Sequence, residues 1–105
     1  SMIKWASGFV DGEGYIQYKT EPYKRIRIEV CNTDFAPIEI LHDLFGGKIY
    51  DRQPRVSAIG TITKPQKMWV ALNDECYEAC QSMLPYLITE KRITTATQIL
   101  NHYDK

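Results

Sequence analysis

Residues 5–16 read Trp5-Ala-Ser-Gly-Phe-Val-Asp-Gly-Glu-Gly-Tyr-Ile16. Trp5, Phe9 and Val10 supply apolar bulk that is expected to bury against a core. Gly8 and Gly12 are four apart, so on a helix they share one face and leave no side chain between that face and a second helix. Glu13 puts one carboxylate at the helix end, and Gly14 is expected to stop the helix with a positive φ. The stretch therefore predicts a helix over residues 3–12 that ends in a carboxylate.

Downstream of this helix the periodicity changes. Residues 15–21 alternate, with Tyr15, Gln17 and Lys19 on one side and Ile16 and Tyr18 on the other. Residues 25–31 alternate more cleanly, Arg25, Arg27, Glu29 and Cys31 against Ile26, Ile28 and Val30. Period two predicts strands, and Glu21-Pro22-Tyr23-Lys24 reads as the turn of a hairpin. Asn32-Thr33-Asp34 offers helix caps, and residues 35–45 place Ile38, Leu41, Leu44 and Phe45 at helical spacing before Gly46-Gly47. A third strand carries Lys48, Tyr50 and Arg52 outward. A polar stretch follows, with a hairpin tip expected near Gly60. A fourth strand spans 67–72, with Met68, Val70 and Leu72 on the expected core side. Asn73-Asp74 is expected to cap a helix over 75–84, Pro85 interrupts it, and residues 89–103 form the last helix. The order α-β-β-α-β-β-α-α predicts an α+β domain, a four-stranded antiparallel sheet with helices on one face.

The chain of 105 residues suffices for one domain spanning 1–105. Ser1-Met2 reads as a tag remnant ahead of a native start. No apolar run approaches the ~20 residues of a membrane span, so no membrane partner and no secretion are expected. Cys31, Cys76 and Cys80 cannot all pair, which fits a reducing, cytoplasmic compartment better than a disulfide scaffold. Cys76 and Cys80 read as core thiols. Net charge is zero, yet the charge is segregated by element. Residues 15–33 and 47–73 carry nine basic against three acidic residues, a net of +6, and the remaining segments carry −6. A basic surface on one side needs such segregation whatever the total.

The stretch from Ala6 to Gly14 resembles the signature helix of the LAGLIDADG homing endonucleases, with Gly8, Asp11, Glu13 and Gly14 matching its third, sixth, eighth and ninth positions and Glu replacing Asp at the eighth. Leu44-Phe-Gly-Gly-Lys-Ile49 and Leu84-Pro-Tyr-Leu-Ile88 are also in the style of that family. The resemblance implies a saddle-shaped sheet over the DNA major groove. It also implies a homodimer pairing through Ser7, Gly8, Asp11 and Gly12, and a pseudo-palindromic double-stranded target. Mg²⁺, or Mn²⁺, would be held by Glu13 and the main-chain carbonyl of Gly12. Asn32, at the end of the second strand, either positions water or caps the next helix. The family's catalytic lysine after the Pro-Tyr-Leu turn, which polarises the site, falls one place late, at Lys91, with Glu90 in its usual slot. The resemblance also implies a phage- or organelle-encoded chain.

The chemistry of these residues is consistent with that role. Phosphodiester hydrolysis needs an activated water and neutralised phosphate charge, and a divalent ion on carboxylate oxygen supplies both. Arginine, lysine and glutamine read base edges or hold phosphates. The expected DNA-facing row is Tyr15, Gln17, Lys19, Arg25, Arg27, Glu29, Lys48, Tyr50 and Arg52, extended by Arg55, Thr61, Lys64 and Lys67. The runner-up reading is a cleavage-deficient DNA-binding regulator or an intron RNA-binding splicing helper of the same fold.

Overall fold

Ile16 and Tyr18 in one alternating stretch and Ile26, Ile28 and Val30 in the next commit both to one sheet face, and the pairing follows from it. In the computed structural model, which describes residues 2–52, 56, 58–62 and 64–104, Ile16 lies opposite Ile28 and Tyr18 opposite Ile26. The elements are helix α1 (Met2–Glu13), strands β1 (Gly14–Lys19) and β2 (Arg25–Asn32), helix α2 (Phe35–Phe45), strands β3 (Lys48–Arg52) and β4 (Gln66–Leu72), helix α3 (Asn73–Met83), a 3-10 turn (Leu84–Tyr86) and helix α4 (Glu90–Tyr103). The four strands form one antiparallel sheet in the order β1-β2-β4-β3. This is the α+β architecture and element order that the periodicity predicts. Gly60 has φ 85° between Val56 and Ile62, which form a bridge, so the second hairpin turns near the expected residue.

The helices cover one sheet face. Ala6 and Val10 of α1, Ile38 and Leu41 of α2, Cys76, Ala79, Cys80 and Met83 of α3, and Ala96 and Ile99 of α4 bury against Ile16, Ile26, Ile28, Val30, Trp69 and Ala71. Burying each large aliphatic side chain contributes about 1.5–3 kcal/mol. Both helical thiols lie in this core. The Cys80 thiol hydrogen-bonded to Cys76, together with burial, holds Cys76 protonated far above its ordinary range.

Four expectations change. β4 sits in the opposite phase, because Val30 pairs with Trp69 and Ile28 with Ala71. Trp69 and Ala71 are therefore core residues, and Met68, Val70 and Leu72 face the open side. Both phases of β4 are apolar, so alternation could not choose between them. The Trp69 indole also donates to the Gly46 carbonyl at 2.7 Å, which fixes the choice. Trp5 turns away from the core, 36% exposed, and stacks at 5.2 Å on Phe9, which is half-buried and packs against the core as expected. Gly14 is not among the glycines of positive φ. Its need is steric, since a Cβ there would meet the Val10 carbonyl oxygen at 2.8 Å. Asn73 opens α3 with φ 49° instead of capping it by a side-chain bond.

Gly46 and Gly47 do require glycine, at φ 74° and 87°. A Cβ on Gly47 would lie 2.4 Å from the Val70 carbonyl oxygen. The Gly47 amide donates to Glu75 at 2.9 Å, so this turn locks α2, β3 and α3 together.

Candidate functional site

The face of the sheet without helices carries Tyr15, Gln17 and Lys19 from β1, Arg25, Arg27 and Glu29 from β2, and Lys48, Tyr50 and Arg52 from β3. The register links them directly. Tyr15 lies opposite Glu29, Glu29 opposite Val70, and Val70 opposite Lys48. Gln17 lies opposite Arg27, Lys19 opposite Arg25, and Tyr50 opposite Met68. Five cations and one carboxylate from this predicted row thus share a surface with the apolar strip of β4 through its middle.

Within this face some charges are already engaged. Arg27 donates to Glu29 at 2.7 Å, with both side chains about one quarter exposed. Its Nε is buried with no hydrogen-bond partner among the described residues. Arg52 donates to the Cys31 sulfur at 3.5 Å. Lys67 departs from the row. It pairs opposite Asn32 and Asp51 on the helix-bearing side, 3.9 Å from Glu39 and 4.9 Å above the centre of the Phe35 ring. Thr61 and Lys64 lie exposed in the β3–β4 connection, and Arg55 lies outside the described residues.

Glu13 ends α1 and is exposed, as is Gly12 before it. Around α1, Ala6, Ser7 and Val10 point inward, whereas Gly8 and Gly12 have no atom within 4 Å of where a Cβ would stand. Ser7 is therefore not on the outward glycine stripe that the sequence groups it with. It is fully buried and donates to the Ile3 carbonyl at 2.7 Å. Asp11 also turns inward. Its carboxylate accepts from the backbone amides of Ile88 at 2.7 Å and Thr89 at 3.0 Å, the entry to α4. Burial works against that charge, but the hydrogen bonds from Thr89 and Ile88 and the nearby Arg92 outweigh it and hold the carboxyl below its ordinary value.

The same junction is tied a second time. Arg92 donates to the Gly14 carbonyl through Nη2 at 2.7 Å and Nε at 3.3 Å. This side chain has no motif of its own, and only the fold brings it to the end of α1. Lys91 precedes it, is exposed, and lines a groove with Tyr15 and Thr95. Asn32 lies at the same end of the sheet, two residues past Val30, which pairs with Gly14. Its side-chain oxygen accepts from the Asp34 amide at 2.8 Å, and Asp34 caps α2 through Ala36 at 3.3 Å. Asn32 thus shapes the turn before α2 without capping that helix, whose cap is Asp34.

The outer face of α1 is richer than the glycine stripe alone. Met2 and Trp5 are exposed beside it, and Lys4 sits 5.6 Å above the ring of Tyr86 in the 3-10 turn, next to exposed Ile88. Among the described residues no helix is long and apolar enough to cross a membrane. No group of three or more His, Cys, Asp or Glu side chains among them comes together as a metal cage. No protein-family model matches this chain, and no curated protein matches it.

Proposed function

We propose that the chain is a divalent-metal-dependent DNA endonuclease that works as a homodimer. One observation carries this reading. Exposed Glu13 ends a helix whose outer face is stripped of side chains at Gly8 and Gly12, and the chain passes directly from it into the strand bearing Tyr15, Gln17 and Lys19. Backbone close approach at the glycine stripe would bring two such helices, and so two Glu13 carboxylates, to one place between two cationic sheets. The resemblance of Ala6–Gly14 to the LAGLIDADG signature points the same way.

The donor chemistry fits a hard cation. Glu13 offers carboxylate oxygens, and Gly12, in the last turn of α1, offers a main-chain carbonyl with no later amide of the helix to satisfy it. Two carboxylates at the negative ends of paired helices repel each other, which favours a cation between them. Mg²⁺ or Mn²⁺ held there would lower the pKa of bound water and neutralise charge on the phosphate. Arg92 and Asp11 act as positioning residues, fixing the α1–β1 junction from which Glu13 projects. The open sheet face would bind duplex DNA, with Arg25, Lys19 and Lys48 available for bases and phosphates, and a two-fold dimer would read a pseudo-palindromic site.

The test is cleavage of a randomised duplex library with Mg²⁺, with EDTA and the Glu13→Gln variant as controls. Discrete, metal-dependent cuts are expected, and Glu13→Gln should lose at least about a hundredfold in rate while retaining DNA binding. Cuts that survive in Glu13→Gln remove that residue from the site. Binding enrichment without cuts instead supports the cleavage-deficient regulator or RNA-binding reading, which the engagement of Asn32 with Asp34 favours.

A further inference from the structure

A concavity runs along the outer edge of the sheet, beside its open face. It is an open groove of about 340 Å³ between β1 residues 15–19 on one side and Lys91 and Thr95 of α4 on the other. Such a volume lies within the ~300–1,000 Å³ range of small-ligand clefts. Among the described residues its lining holds two lysines and no carboxylate. Lys19 comes from the strand wall and Lys91 from the helix wall. The neighbouring Arg92 is committed to the Gly14 carbonyl, and the Thr95 hydroxyl donates to the Lys91 carbonyl at 3.0 Å. The cationic groups left to meet a ligand there are therefore the two lysines.

Two further features fit an anion. β1 has a sheet partner only on its β2 side, so alternate backbone amides point outward along the groove. Tyr15, Gln17 and Lys19 belong both to the groove and to the open face, so a strand crossing that face reaches the groove without a break.

We propose that this edge groove is a backbone-phosphate site, holding a phosphodiester of the bound nucleic acid between Lys19 and Lys91 without regard to sequence. The inference rests on the nucleic-acid-binding reading above and adds a second contact region, off the sheet face. Phosphate contacts of this kind set register and affinity and add to the salt dependence of binding.

The experiment measures binding of a random-sequence duplex by fluorescence anisotropy between about 50 and 200 mM salt. Thr95→Glu puts a carboxylate into the groove. Thr97→Glu puts the same charge on another face of α4, at a threonine that likewise donates to its helix backbone, to the Ile93 carbonyl. Thr95→Glu should weaken binding about tenfold and flatten the log affinity against log salt slope by about one. Thr97→Glu and Thr95→Gln should stay within about twofold. Lys19→Gln, at an exposed strand end, should flatten the slope by the same increment and add nothing further when combined with Thr95→Glu. Equal effects of Thr95→Glu and Thr97→Glu, with duplex binding intact, overturn the groove alone. A native chain that binds no duplex overturns the groove and the endonuclease reading together.

Discussion

The two sides of α1 obey opposite rules. The inner side is crowded and fully engaged. Ala6, Ser7 and Val10 have no exposed surface, and Asp11 reaches across to the amides of Ile88 and Thr89. The outer side keeps its large residues, Met2 and Trp5, at the surface and has nothing at all over Gly8 and Gly12. A helix that needed only to complete a domain would gain helical propensity from alanine at those two positions, about 1 kcal/mol each. The contrast teaches that one helix can complete a fold through one face and leave the other bare, the arrangement that the proposed dimer would use.

Substitutions on either side break or sharpen this contrast. The largest effect is expected on the outer side. Gly12→Leu should weaken self-association by about 2 kcal/mol or more, over tenfold in dissociation constant, with the monomer still folded. Sedimentation equilibrium reads this directly, and an unchanged association constant removes the glycine face from the interface. On the inner side, Asp11→Ala should cost about 1–3 kcal/mol of folding stability by stranding the Ile88 and Thr89 amides, as measured in urea. The folded Asp11 carboxyl sits below its unfolded value, so its contribution is complete above pH about 4 and is lost as pH falls through the folded value. Asp11→Asn should therefore flatten that part of the acid limb, and an unchanged limb would place the acid sensitivity elsewhere. The smallest effect has the reverse sign. Gly12→Ala, studied at dilutions where the chain is monomeric, should raise stability by about 0.5–1 kcal/mol, since its Cβ enters open space. A loss of stability there would mean that the outer face is not free.

The legible parts of the molecule are those where only one phase was possible. Residues 25–31 place every isoleucine and valine on one side and every charge on the other, so β2 and the open face could be read together. The helix over 35–45, bounded by Asp34 and Gly46, was equally plain because cap, period and stop agreed. β4 was not legible in the same way, since Met68, Val70 and Leu72 compete with Trp69 and Ala71, and only pairing with β2 and the bond from Trp69 to Gly46 decides between them. The same phase carries Lys67 to the far side from the basic row. Around α1 the glycine stripe was visible, but the inward turn of Ser7 and the outward turn of Trp5 depend on where the sheet lies. The ties from Asp11 to Thr89 and from Arg92 to Gly14 join residues 78 apart, and no local pattern announces them.

The chain's two tryptophans sit on opposite sides of this division. Trp69 is fully enclosed in the core, and Trp5 stacks on Phe9 at the outer face of α1. Their emission is therefore separable by quencher. A small neutral collisional quencher reaches Trp5 in the native monomer and Trp69 only after unfolding. The protein thus contains two intrinsic optical reporters, one for the integrity of the fold and one for whatever covers the outer helix face.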